Sequence, residues 1–329
     1  LWSVENLQGN KKRLFKRKMI VKLINKKMDW TVVFAVFLIF ILSGCSGRNI
    51  RTDLDTPNSG TIHISVDESF KPVIDSQIQV FEALYPKAKI IADYKPEAEC
   101  FKDLMKDSTR MIIVTRGLTD EEEKFYRDSF SFYPNYDKIA YDAIAVIVNN
   151  NYPDSTFDMS KIRGILDGST GDKELAVFDG LKETSAIRFA VDSILKGRPF
   201  DPKKVFAVNN SQDVINYVAD HNNVLGFVGV SWIGNPEDTA EVSFLKKVRI
   251  ASLACNCPEK TYVKPYQANI LTRRYPLVRG LYYILKENFN GLGGGFVNFL
   301  QYEKGQLIFR RAYLWPAKMN FTIRSATLN

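Results

Sequence analysis

The chain has 329 residues, of which 45 are Lys or Arg and 37 are Asp or Glu, a formal net charge of +8 with both His neutral. Residues 1–44 hold nine of the basic and two of the acidic residues, so the remainder balances 36 against 35, and the basic excess that suggests nucleic acid is confined to one terminal segment. No basic stripe with interleaved aromatics occurs elsewhere, which excludes a nucleic-acid partner, and two His with four scattered Cys make no zinc-type ligand set.

A cluster of Lys and Arg over residues 11–27 precedes the apolar run Trp30–Leu42. That run has the length of a signal-peptide core and is short for a spanning helix. Directly after it, Leu42-Ser43-Gly44-Cys45 looks like a bacterial lipobox. The resemblance implies a lipoprotein signal peptide over residues 1–44 and a lipid on Cys45. That lipid would anchor the protein to the membrane, facing the periplasm within the cell envelope. Residues 45–60 are polar, contain Pro57 and Gly60 and show no period, so they read as a flexible tether spanning about 20 Å. About 270 residues follow, more than one core usually fills, so two lobes are expected.

Ile62, Ile64 and Val66 alternate with Thr61, His63 and Ser65, the period of a strand. After Asp67-Glu68-Ser69 the period changes, and Ile74, Ile78, Phe81 and Tyr85 line one face of a helix with Pro72 in its first turn. A strand running into a helix start leaves unpaired N–H groups and the positive end of the helix dipole facing outward, a ready anion site. Residues 88–94 read as a second strand, 95–108 as a helix, and 109–115 as a third strand whose unbroken apolar run marks a parallel sheet. Thr119-Asp120-Glu121-Glu122 is a capping box that starts the next helix. This alternation defines an α/β fold with right-handed crossovers.

Residues 141–153 read as a strand crossing into a second lobe. That lobe is expected to hold helices over 159–166, 185–197 and 211–223 and strands over 174–180 and 205–210, before residues 225–233 return as a strand. Two crossings make a two-strand hinge, with lobe I at 61–144 and 229–329 and lobe II at 145–228. Residues 276–289 are expected to form a helix with Pro276 in its first turn. Residues 295–317 read as a helix, a break at Gly305 and a short strand. Cys100, Cys255 and Cys257 read as structural or incidental thiols, since an odd count leaves one unpaired and a C-x-C spacing closes a strained ring.

The tail formed by Phe296, Phe299, Leu300, Gly305, Gln306, Ile308, Tyr313 and Pro316 resembles the C-terminal signature of the periplasmic phosphate-binding proteins of ABC transporters, the PstS-like family. The likeness extends over residues 60–318 through the element order, the lipobox and the paired crossings. It implies a type II periplasmic-binding fold, two lobes that are each a mostly parallel sheet flanked by helices. It further implies a monomer that captures an inorganic oxyanion, phosphate first, between the lobes and delivers it to ABC transporter permease subunits, with no cofactor, metal or catalytic residue.

The same resemblance nominates a site. Ser69-Phe70 before a Pro-containing helix matches the family's first phosphate loop, and the physical basis is a hydroxyl and N–H groups at a helix start. Thr115-Arg116 matches a third-strand loop in which Arg offers a fork of donors. The second-lobe loop, Thr184-Ser185-Ala186-Ile187-Arg188, keeps Ser185 and Arg188 of the family's Gly-Ser-Gly-Thr-Arg pattern, with Thr184 in place to supply the missing hydroxyl. No counterpart is found of the Arg that often precedes this loop. Where the family has Gly and Ser, this chain has Glu97-Ala98-Glu99. A carboxylate beside a dianion is repulsive by about 4 kcal/mol at 4 Å and an effective dielectric of 20. It can also accept the proton of monohydrogen phosphate, and Glu99, then Glu97, is the expected acceptor.

Other chemistry finds no support. The segment GVSWIG at 229–234 lacks the second Gly of a nucleophile elbow, and His63 and His221 read as structural. The GLGGGF segment at 291–296 is expected to separate two helices, which makes it a turn and not a dinucleotide loop. The alternative to a carrier is an envelope lipoprotein of the same fold that has lost tight anion binding and serves as a sensor or interaction module.

Overall fold

In a computed structural model of the chain, the structure is described for residues 55–130, 133–171, 173–180, 184–234 and 245–319. The expected signal peptide, Cys45 and the expected tether as far as residue 54 lie outside the described residues. Among the described residues, no helix is long and apolar enough to cross a membrane.

Strand β1 (Ser59–Asp67) buries Ile62, Ile64 and Val66, as the alternation requires. A single 3-10 turn, Glu68–Phe70, links it to helix α1 (Lys71–Leu84), which starts with Pro72 in its first turn. α1 buries Val73, Ile74, Gln77 and Phe81. Each buried aliphatic or aromatic side chain contributes about 1.5–3 kcal/mol. Gln77, inside the apolar face, is satisfied by donating to the Gly305 carbonyl at 2.8 Å, while Tyr85 at the helix end is exposed.

The order continues with β2 (Lys87–Lys95), α2 (Glu97–Leu104), β3 (Thr109–Val114), α3 (Asp120–Phe130) and the long β4 (Asn135–Asn149). Then come β5 (Thr156–Phe157), α4 (Met159–Asp167), β6 (Leu175–Asp179), α5 (Ser185–Phe189), β7 (Val205–Val208), α6 (Ser211–Asp220) and β8 (Val224–Gly229). The chain ends through β9 (Val248–Ile250), β10 (Ser252–Ala254), β11 (Tyr262–Val263), α7 (Gln267–Leu271), β12 (Val278–Leu285), α8 (Leu292–Gln301), α9 (Glu303–Arg311) and β13 (Trp315–Pro316).

The main sheet has the order β2-β1-β3-β12-β4-β8-β6-β7, with β13 and β9 also on β4. β1 runs parallel to β2 and β3, and β6 runs parallel to β7 and β8. These two parallel groups are the sheets of the two lobes. β4 belongs to both: its first half pairs antiparallel with β12 and its second half with β8. β9 also pairs with the far end of β4, and β10 pairs with β5, so residues 248–254 join the second group of strands instead of extending the first. One core cluster runs from Ile62, Ile64 and Val66 through Ile144 to Phe178 and Phe227.

Four expectations give way to the structure here. Residues 276–289 form β12 instead of a helix. Leu277, Leu281 and Ile284 fit a helical period, but Arg279, Leu281 and Tyr283 also alternate as buried positions, and a gap between β3 and β4 is open to a strand. The break in the tail falls at Tyr302, while Gly305 lies inside α9. A Cβ on Gly305 would stand 2.2 Å from the Phe299 carbonyl oxygen, so Gly permits the close turn between α8 and α9. The tether ends early: the Asp55 carboxylate accepts the Leu292 N–H at 3.1 Å and pairs with Arg110, which holds residues 55–60 to the fold. Cys255 and Cys257, expected as thiols because a C-x-C ring is strained, are instead joined as a disulfide in the β10–β11 loop, while Cys100 is a buried thiol as expected.

Candidate ligand-binding cleft

Four helix starts meet where the two strand groups face each other. At the end of β1, the Asp67 carboxylate accepts the Ser69 N–H at 3.0 Å and fixes the turn that aims Ser69 across the gap. The Ser69 hydroxyl lies 3.5 Å from Asp179 Oδ2 at the end of β6 and 3.3 Å from the Ser185 hydroxyl at the start of α5. Ser231 donates to the Ser69 carbonyl at 2.9 Å, which holds the turn from behind. Glu68 reaches over to the start of α6, accepting the Ser211 hydroxyl at 2.8 Å and its N–H at 3.3 Å.

The next helix start carries Glu97. Its carboxylate accepts the Thr115 N–H at 2.8 Å and hydroxyl at 2.5 Å, and Arg188 Nε at 2.7 Å. Arg188 Nη2 also donates to the Thr115 hydroxyl oxygen at 2.6 Å. From β12, Arg279 donates to Asp142 at 2.7 Å and to the Ser185 hydroxyl at 2.8 Å, with its guanidinium over the Phe70 ring. The Arg279 and Asp142 side chains are 2% and 0% exposed. This is a buried pair whose geometry must repay its desolvation.

Of the residues expected at a site, Ser69, Phe70, Thr115, Thr184, Ser185 and Arg188 meet here. Thr184 serves as the cap of α5, its hydroxyl oxygen accepting the Ile187 N–H at 3.3 Å. Glu99 stands apart: α2 begins at Glu97, which turns Glu99 to solvent, 44% exposed and paired with Lys102 at 2.6 Å. The buried acid is Glu97, at 3%. Arg116 also stands apart, binding both oxygens of Glu122 at 2.7 and 2.8 Å and lying over the Phe101 ring.

Sequence reasoning missed Asp67, Glu68, Asp142, Asp179, Ser211 and Arg279. Asp67, Asp179 and Ser211 carried a usable signal, since each sits where a strand hands over to a helix. Arg279 carried none while its segment read as a helix; it brings a guanidinium to Ser185 from a distant strand.

Among the described residues, the cleft thus gathers five carboxylates and two guanidiniums, and burial and their neighbours set their protonation. Asp179 is pushed up to about 8 by burial and then by the charges of Glu68 and Asp67. Asp67 rises to about 6 through burial and the charge of Glu97, against the pull of Arg279. Burial also raises Glu68 and Asp142. Glu97 goes the other way: burial acts to raise it, but hydrogen bonds and charge from Arg188, with the Thr115 bonds, hold it below the usual carboxylate range. Among the described residues, Arg279 Nη2, Asp67 Oδ2, Asp142 Oδ1 and Asp179 Oδ1 are buried without a hydrogen-bond partner. A guanidinium N–H and three carboxyl oxygens are thus left unpaired among those residues.

Two lobes of parallel strands sharing a crossing strand, with helix starts lining the gap between them, define the two-lobed periplasmic-binding fold. The family model described as a PBP superfamily domain matches residues 52–304, and the chain belongs to that family. No curated protein matches the sequence. Among solved structures, it is similar to one described as a phosphate ABC transporter substrate-binding protein from Clostridium perfringens, with bound phosphate: 19% identity, TM-score 0.63, 79% of this chain and 100% of the other covered. An ABC-type phosphate transport receptor from Vibrio cholerae is 17% identical with a TM-score of 0.56, covering 78% and 100%. PstS from Borrelia burgdorferi is 17% identical with a TM-score of 0.50, covering 78% and 99%. At these identities the likeness read from the tail holds at the level of the fold.

Proposed function

We propose that the chain is a solute-binding protein that closes two lobes on an inorganic oxyanion, with phosphate the leading ligand, and hands it to an ABC transporter permease. In this reading it is a carrier and not an enzyme. It works as a monomer anchored to the membrane by a lipid on Cys45, in the periplasm-facing cell envelope. Its lobes are built on residues 61–144 with 229–329, and on 145–228, with β9 and β10 of the last stretch laid against the second lobe's strands.

One observation carries the reading. Ser69 meets Ser185, to which Arg279 also donates, and Thr115 meets Arg188, so hydroxyls and guanidiniums from both sides of the hinge are drawn together in buried contacts. Hydroxyls and forked guanidiniums at helix starts are the donors that replace water around a small oxyanion. Asp179, raised by burial to about 8, keeps its proton near neutral pH, so its carboxyl adds no negative charge against an incoming anion. Titration calorimetry of the full chain in detergent with phosphate, sulfate and molybdate tests this. Heat from one anion at about micromolar Kd or tighter supports the carrier; silence with all three overturns it.

A second reading, an envelope module of the same fold without tight anion binding, is favoured by a different observation. Glu97 already takes the hydrogen bonds of Thr115 and Arg188.

A further inference from the structure

Thr115 and Arg188 together surround a carboxylate that is part of the chain. The Glu97 carboxylate receives a backbone N–H at 2.8 Å, a hydroxyl at 2.5 Å, and guanidinium nitrogens at 2.7 and 3.4 Å. These are the kinds of donor that would surround one face of a phosphate. They come from both lobes: Thr115 follows β3 on the side of Glu97, whereas Arg188 lies on α5 across the gap. Glu97 is also the first residue of its own helix, where a carboxylate is favoured by the helix dipole. Nothing about its position is incidental to the site, and Glu99, two residues on, makes none of these contacts.

We propose that Glu97 is a tethered carboxylate that occupies the oxyanion receptor of Thr115 and Arg188, so that an external oxyanion binds only by displacing it. The inference rests on the oxyanion-binding reading above and deepens it by naming the residue that regulates the site. A tethered group competes at an effective concentration set by its short connection to the fold, so it outcompetes weak ligands and sets a threshold for strong ones. It also adds negative charge to the place a free anion would enter, and Coulomb repulsion there is strong in a partly desolvated gap. Because the carboxylate and the guanidinium come from opposite lobes, the same contact is a latch across the cleft. The class of ligand follows: a small oxyanion with enough charge and donor-accepting oxygens to replace a carboxylate, and not a neutral sugar or an apolar solute.

The test is calorimetry with inorganic phosphate on the full chain in detergent, comparing wild type with Glu97→Gln and Glu97→Ala. Gln keeps the size and an acceptor oxygen, and a cooperative thermal transition in it shows that the fold is retained. The expected result is phosphate affinity at least about tenfold higher in both variants than in wild type, a change that loss of a merely structural residue does not produce. Wild type binding as tightly as both variants, or more tightly, overturns the inference and leaves the carrier reading intact. Binding by the variants with a silent wild type supports the inference and overturns the carrier reading. Silence from all three proteins overturns both.

Discussion

Asp179 ends β6 with its carboxyl fully buried, facing Glu68 and Ser211 of the α6 junction, Asp67 and Ser69 of the β1 turn, and Arg279 of β12. Its ordinary value is 3.8 and its folded value about 8. Between those limits the unfolded chain has released the proton and the native chain keeps it, so the unfolded state binds fewer protons. Stability therefore falls as pH rises from about 4 to about 8 and levels off above. Asp67, raised to about 6, acts in the same direction over the lower part of that window. Glu97 and Asp103 are lowered, so their contribution is lost only as pH falls below the ordinary carboxylate range, and they leave the window from 5 to 8 clear. Asp179→Asn keeps an acceptor for both Ser hydroxyls but no proton to lose. Urea midpoints measured from pH 5 to pH 8.5 are expected to decline in wild type and to run flatter in Asp179→Asn; parallel curves would show that Asp179 ionises normally. At this scale the sequence was only half legible. Ser69, Ser185 and Arg188 sit in a recognisable pattern at helix starts, whereas choosing Glu97 over Glu99 requires the helix start to within one residue, finer than pattern reading resolves.

At the scale of elements, the Gly-rich segment 291–295 shows why local reading has limits. Read between two helices it is a turn; with β12 before it, it joins a strand to α8. Its N–H groups are not free for a phosphate, because Glu287 accepts from Gly291, Gly293 and Gly294, each at 3.0 Å, and Asp55 accepts from Leu292. The chain thus caps this helix start with its own carboxylates, as it fills the Thr115–Arg188 receptor with Glu97. The periods of β1, α1, β3 and β6 were legible because each has one clearly apolar face or a continuous apolar run. β12 was not, because its apolar residues satisfy both periods, and the choice is made by the open position between β3 and β4. Gly295 offers a direct test of this packing. In an exposed helix, Gly→Ala gains about 1 kcal/mol. Here a Cβ would lie 1.9 Å from the Pro57 carbonyl oxygen, a backbone atom that cannot step aside without moving the segment before β1. Gly295→Ala is expected to lower the denaturation midpoint and to open residues 55–60 to protease. A stabilised, protease-resistant variant would mean that this segment does not lie on α8.

For the whole molecule, the alternation of strands and helices and the return of a strand near residue 225 made a two-lobed α/β architecture legible. The degree of closure was not, because it depends on contacts between residues far apart in the sequence. Those contacts run directly from lobe to lobe: Glu97 to Arg188 at 2.7 Å, Glu68 to Ser211 at 2.8 Å, and Ser69 to Ser185 at 3.3 Å. In a hinged carrier the ligand shifts the balance between open and closed forms only by the free energy it adds to the closed one. Here part of that free energy comes from the chain's own groups. A single partly exposed ion pair contributes little, about 0–1 kcal/mol. Several short bonds around a buried gap act together, however, and removing one partner leaves others unsatisfied. On the proposed carrier reading, the closed arrangement is expected at rest, and phosphate is expected to exchange for internal partners without drawing the lobes much closer. Solution scattering on the full chain in detergent-matched buffer is expected to give the same radius of gyration with and without saturating phosphate. The double variant Glu68→Ala, Glu97→Ala, which removes two of the cross-lobe clasps, is expected to be larger without phosphate and to contract when it is added. Contraction of wild type on adding phosphate would show that the clasps form only behind the ligand, and closure would then belong to the solute and not to the chain.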